Sequence, residues 1–244
     1  MPLEFDYIWL ICALALFLGC VVQAAIGFGM AIVAAPILVV MQPQWVPYIL
    51  TVTALVVSAS NAWQQRNAIQ WRTMTAPFIS RIPGTVLGTW LLIVMSVATL
   101  QITVATMVLL TVVVSLWLKP FPANARNLGI AGFVSGVAGT TTSIGGPPMA
   151  LVMQHGDART IRANLSIFFV YSCVISLVGY QVTGLMTTTT WLISLTMVPF
   201  ALLGFWTGKH LQRFVDNSFR PILLTLCSLS ASFALVNALL KSTA

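Results

Sequence analysis

Residues 132–148 read GFVSGVAGTTTSIGGPP. Four hydroxyls in a row (Thr140, Thr141, Thr142, Ser143) stand inside a long apolar segment, followed by Gly145-Gly146 and Pro147-Pro148. A plain membrane helix would not choose that order. Adjacent glycines and prolines break the helical ladder, and freed backbone groups are costly in lipid unless protein or a wet cavity satisfies them. The stretch predicts a broken helix at mid-membrane depth whose exposed N–H groups and hydroxyls hold a ligand.

Composition supplies the setting. Of 244 residues, 59% are hydrophobic and only 6% charged, whereas a soluble domain carries about 25% charged residues. The chain therefore reads as an integral membrane protein, with no extramembrane stretch long enough to bury a core of its own. No basic segment precedes the first apolar run, where Glu4 and Asp6 stand instead, so that run reads as a span and not a signal peptide. Cys12, Cys20, Cys173 and Cys227 fall inside apolar spans at no metal-like spacing. Their expected role is packing.

Outward from the opening stretch, the chain divides into apolar blocks joined by short loops. Residues 8–40 form one long block, interrupted by Gly27-Phe28-Gly29 and by Pro36. Spans are expected at 46–63, 73–94 and 98–118, each near the ~20 residues that a bilayer needs. Residues 119–127 read as a linker. A second long block, 128–155, carries the hydroxyl run, and spans at 164–182, 190–208 and 221–240 follow. Trp45, Trp63, Trp71 and Trp191 near block ends suit interfacial belts.

The second half repeats the first. Pro83, Gly88 and Trp90 recur as Pro199, Gly204 and Trp206, each 116 residues later (199 less 83, 204 less 88, 206 less 90). Ile26-Gly27 pairs with Ile144-Gly145. These landmarks suggest two copies, residues 1–118 and 128–244.

Basic residues orient the copies. Arg66 and Arg72 lie between the 46–63 and 73–94 spans of the first copy, where the equivalent second-copy loop has no basic residue. Lys209, Arg213 and Arg220 fall in a second-copy loop whose counterpart carries no basic residue, and so do Arg159 and Arg162. By the positive-inside rule the two halves lie in opposite senses, with the N-terminus outside. Lys119 and Arg126 join the inner set; Arg81 and Lys241 are the exceptions. Each long block must then start and finish on one side, as a hairpin of two short crossings or a helix with a re-entrant return. The expected fold is an all-α polytopic membrane protein of two inverted repeats, each a broken or re-entrant helical hairpin followed by three transmembrane helices. Such repeats, with hairpin tips meeting at the midplane, are a recurrent transporter plan.

The two glycine-bearing hairpins, IGFGMAIVAAPILVV and SIGGPPMALVM, resemble the duplicated signature of the sulfite exporter TauE/SafE family of permeases. The resemblance covers nearly the whole chain. It implies a carrier in the bacterial inner membrane for small sulfur-containing anions such as sulfite, thiosulfate or organosulfonates. Phe28 between Gly27 and Gly29, and Pro147-Pro148 after Gly146, depart from the commonest glycine-rich form of the signature.

The chemistry of the tips agrees with an anion. Half-helix N-termini present unsatisfied N–H groups and a partial positive charge, and glycines let the backbone approach a ligand closely. Hydroxyls add donors that suit the three oxygens of a sulfonate. The expected substrate-binding set is Gln23, Gly27, Phe28 and Gly29 from the first tip, with Thr140, Thr141, Thr142, Ser143, Gly145, Gly146 and Pro147 from the second. The second tip is expected to hold the charged end of the substrate. Small residues here also suit tight helix packing, which stays open for the individual hydroxyls. Arg81 is the further candidate: a fixed charge on the inner approach, or a side chain that snorkels to the interface. Asn61, Asn164 and Tyr171 suit interhelical hydrogen bonds, and His155 with Asp157 a solvated loop.

Other classes lack their parts. The carboxylates Glu4, Asp6, Asp157 and Asp216 all fall outside the spans, so neither hydrolysis, metal chemistry nor a buried cation site is supplied. No enzyme activity, cofactor or metal is expected. The partners expected are the anion and the lipid bilayer, with homodimerisation open and nucleic acid excluded. An anion channel, or a carrier for another small organic anion, remains as the alternative. Alternating access is the expected mechanism, one repeat rocking against the other. A potential negative inside drives anions outward at ~2.3 kcal/mol per charge per 100 mV, so export needs no coupled ion. Single cysteines at Gln44 and Val182 should label with an impermeant thiol reagent from outside, and one at Asn127 from inside. Labelling of all three from one face would overturn the opposed orientation.

Overall fold

Glycine, proline and a few caps set where the helices start and stop. The computed structural model describes residues 6–117, 122–153 and 157–215. The expected span at 221–240 lies outside them, as do Glu4, Lys119, His155, Asp216, Arg220, Cys227 and Lys241. The described chain is helical and contains no strand: α1 (Tyr7–Ile26), α2 (Met30–Met41), α3 (Tyr48–Gln64), α4 (Trp71–Val94), α5 (Val97–Trp117), α6 (Ala125–Thr142), α7 (Gly146–Met153), α8 (Ala158–Val182) and α9 (Thr188–Val215). Asp6, Asn124 and Asp157 cap α1, α6 and α8, each accepting from the backbone N–H three residues on. These caps satisfy donors that a helix start leaves free. The Thr160 hydrogen bonds hold the exposed Asp157 carboxyl below its ordinary pKa, so it serves as a charged cap.

Both long blocks break where the glycines stand. α1 ends at Gly27, in left-handed backbone at φ 99°, and Gly29 at φ 111° starts α2. α6 ends at Ser143, also left-handed at φ 63°, where a side chain is tolerated less readily than glycine. After each break the chain doubles back: Met30 returns against Gly19, and Gly145 against Ser135. The returning helices have 12 residues in α2 and 8 in α7. At 1.5 Å per residue they reach about 18 and 12 Å, short of the ~30 Å hydrocarbon core. Neither crosses alone. Four helices (α1, α4, α8 and most of α9) are long and apolar enough to span a membrane.

Pairing of the helices places the core. The most extensive interfaces join α4 to α6, α1 to α9 and α3 to α8. Exchanging α1 with α6, α2 with α7, α3 with α8 and α4 with α9 maps this neighbour set onto itself. Close approach depends on missing side chains. A Cβ on Gly136 of α6 would lie 2.8 Å from the Gly84 Cα of α4, and one on Gly204 of α9 would lie 2.7 Å from the Phe17 carbonyl of α1. Such small-residue contacts are the means by which membrane helices pack without a hydrophobic drive. Ile79, Val86 and Trp90 of α4, with Leu203 and Trp206 of α9, remain exposed. They form the apolar perimeter of a multi-pass membrane protein, while Asn61, Arg81, Ser135 and Thr140 are buried inside.

Gly136→Ala should destabilise the protein by ~1–3 kcal/mol, because the clash is with backbone that has no rotamer to give. Gly129 meets nothing within 4 Å, so Gly129→Ala should be neutral or stabilising by up to about 1 kcal/mol. Thermal unfolding of the two variants in detergent checks the contrast.

Candidate functional site

A cavity of about 50 Å³ lies between the two helix breaks. That measure exceeds several-fold the ~10–15 Å³ needed to admit one water. Its walls come from five places: Gln23 on α1, the start of α2 (Gly29 to Ile32), Thr51 and Ala54 on α3, Arg81 on α4, and Ser172 and Ser176 on α8. The second break adds Ser143 to Pro147, and Phe28 and Phe169 add aromatic surface. The starts of α2 and α7 both face this space, which brings the positive ends of two helices to one point.

Arg81 is the centre of the site. Its side chain is only 2% exposed. Nη1 donates to the carbonyl and, at 3.1 Å, to the Oγ of Ser135; Nη2 donates to Ser176 Oγ at 3.2 Å. The Ser135 hydroxyl in turn donates to the Gly145 carbonyl at 2.5 Å, tying the guanidinium to the second break. The Phe168 ring lies 5.8 Å from the guanidinium carbon. A Cβ on Gly139 would sit 2.9 Å from Nη1, so this glycine makes room for the fork. A guanidinium has five N–H donors, and these bonds use three. Nε is buried with no partner among the described residues. Asp6 and Asp157 are the described carboxylates, and both are exposed helix caps. The buried cation has no countercharge among the described residues.

The structure brings eight of the twelve expected residues to the cavity: Gln23, Phe28, Gly29, Arg81, Ser143, Gly145, Gly146 and Pro147. Gln23 is held by its amide N–H, which donates to Ser58 Oγ at 2.8 Å. The remaining four stand elsewhere. Gly27 packs against Arg162 at the start of α8. Thr141 and Thr142 return their hydroxyls to the Val137 and Ala138 carbonyls of their own helix, the usual option for a helical threonine. Thr140 shares a 3.0 Å hydrogen bond with Ser176. The two tips touch: a Cβ on Gly146 of the second break would lie 2.9 Å from the Phe28 ring of the first. The cavity lies beside that contact.

The neighbours complete this picture. Asn61 donates to the Gln23 carbonyl, Asn164 accepts from the Gln70 N–H, and Tyr171 donates to the Phe78 carbonyl. All three are interhelical ties. Thr51, Ser135, Ser172 and Ser176 escaped the sequence reading because serines and threonines are common within membrane helices. The i, i+4 spacing of Ser172 and Ser176 was the available signal, since it places both on one helix face.

A scan against family models matches residues 11–234 to the family described as Sulfite exporter TauE/SafE. The chain belongs to that family. No curated protein and no solved structure matches it. As a member of the TauE/SafE family it is a permease, and the cavity around Arg81 combines a buried guanidinium with serine hydroxyls and the starts of two helices. Proline sharpens where the donors are. Pro147 and Pro148 have no N–H to offer, so α7 presents few free donors, whereas Gly29, Met30 and Ala31 of α2 keep theirs.

Ser172 is buried, lines the cavity, and its hydroxyl has no partner among the described residues. Removing an unsatisfied buried hydroxyl relieves ~1–3 kcal/mol of desolvation. Ser172→Ala should therefore raise the thermal stability of the anion-free TauE/SafE protein while weakening anion binding. A rise without any loss of affinity would assign Ser172 to packing alone.

Proposed function

We propose that this TauE/SafE permease carries a small sulfur oxyanion across the bacterial inner membrane, binding it in the cavity at Arg81. The carrying observation is a buried guanidinium with unspent donors and, among the described residues, no carboxylate beside it. Isolated charge in a low-dielectric interior costs several kcal/mol, and an anionic ligand offsets that cost directly. Sulfite, thiosulfate and small organosulfonates present several oxygens to a planar fork, the geometry in which arginine excels over lysine. Ser172 and the α2 N-terminus supply further donors. Phe28, Phe169 and Ile32 offer an apolar wall to a short carbon end. The cavity's small size favours sulfite, thiosulfate or a C2 sulfonate such as sulfoacetate over bulky anions.

Transport by alternating access, with export driven by the membrane potential, follows from the same parts. The neighbour pattern that survives exchange of the halves supports an inverted repeat, and the swapped basic loops support an outside N-terminus. Purified protein in liposomes should take up sulfite or sulfoacetate saturably and show counterflow. Arg81→Gln should abolish that flux, and Arg81→Lys should retain a weakened fraction, since charge survives but the fork does not. Absence of flux for every sulfur oxyanion tested would remove the reading.

A further inference from the structure

A second cavity, of about 720 Å³, opens at the end of the molecule where α3 begins. Trp9, the 42–48 turn, the α4–α5 corner from Leu92 to Val97 and the α8–α9 loop line it. Between this vestibule and the Arg81 cavity stands a thin partition. Tyr48 lines the vestibule, while Thr51, one turn further along α3, lines the inner cavity. On α8, Ser176 lines the inner cavity and Leu185, just past the helix end, lines the vestibule. Tyr180 falls between those two levels.

Two sets of contacts close the partition. The Tyr180 ring, wholly buried, meets Tyr48 edge-on with centroids 5.1 Å apart, and its hydroxyl donates to the Thr140 carbonyl at 2.5 Å. Ser143 donates to the Pro47 carbonyl at 3.0 Å and lies 3.3 Å from the Thr51 hydroxyl. Both of these ties end on the last turn of α6 or on its left-handed cap. Behind Tyr180, Thr85 and Thr89 continue the Arg81 face of α4 at one-turn intervals toward Leu92 of the vestibule. Both hydroxyls are buried without partners among the described residues. Thr89 lies close against Gly179, where a Cβ would come within 2.9 Å of its hydroxyl. Unsatisfied hydroxyls of this kind are costly in a permanently dry wall and are satisfied once water or an oxyanion passes.

We propose that Tyr180 and Tyr48 form the gate on the vestibule side, bolted by the Thr140–Ser143 end of α6, and that the route past it runs along Thr85 and Thr89. This rests on the permease reading for what passes, but not for whether the gate exists. Displacement of the α6 end breaks the Tyr180 and Ser143 bonds together and joins the two cavities. The hydroxyl run that opens the sequence is, on this account, a latch beside the binding site.

Native Cys173 lines the inner cavity and is a free thiol, so it reports access without any transported substrate. In a Cys12→Ala, Cys20→Ala, Cys227→Ala background, its modification by an impermeant methanethiosulfonate is timed from each face of sided vesicles. Tyr180→Ala should accelerate labelling from the Trp45 face by about tenfold or more, with the opposite face unchanged. Tyr180→Phe keeps the ring and loses one hydrogen bond, so about fivefold is expected, the population shift that such a bond supports. Unchanged labelling from the Trp45 face in both variants, or an equal rise from both faces, would overturn the gate. A working gate with no sulfur-oxyanion flux would leave the gate standing and sink only the substrate.

Discussion

A guanidinium buried with no carboxylate beside it among the described residues is the constraint on which the site depends. Arg81 is tolerated there because three oxygens from α6 and α8 accept its N–H groups and a glycine at position 139 leaves space for it. Those acceptors neutralise geometry and not charge. The remaining demand falls on whatever enters the cavity. The two helix breaks share in it, since the backbone around them can present N–H groups only where the helical ladder is interrupted. Arginine, serines and broken helices thus form one electrostatic arrangement drawn from five helices.

Much of the frame was legible in the chain. Gly27-Phe28-Gly29 and Ser143 to Pro148 announced the breaks, because few other residues make left-handed turns or stop a helix so abruptly. The apolar blocks gave the helices, and the glycine signatures gave the family. The site was legible only in part. Thr140, Thr141 and Thr142 drew notice as hydroxyls in lipid, yet a threonine can turn its hydroxyl back to its own helix, and sequence does not record which way it points. Ser176 passed unnoticed for the converse reason: its partners, Arg81 and Thr140, arrive from helices distant in sequence. Arg81 had two open fates, and packing of α4 against α6 and α8 decided for the interior.

The two breaks also divide their labour unlike their sequences suggest. The hydroxyl-rich second break spends its polar groups on internal ties, and its double proline withdraws two N–H donors. The first break looks greasier, with Phe28 and Met30, but keeps the free helix start. At the first break the donors are backbone N–H groups, which side-chain polarity does not announce.

The glycine contacts bear on which pieces can move. Gly84 and Gly136 bring α4 and α6 to backbone distance, and Gly204 does the same for α9 against α1. Each of these pairs takes one helix from either half of the chain. Interfaces so close resist sliding, since there is no side chain to repack as the helices shift. Each close pair joins helices from opposite halves of the chain, α4 with α6 and α1 with α9, so the division of the sequence into two halves and the division of the structure into its most tightly packed helix pairs are different partitions of the same helices.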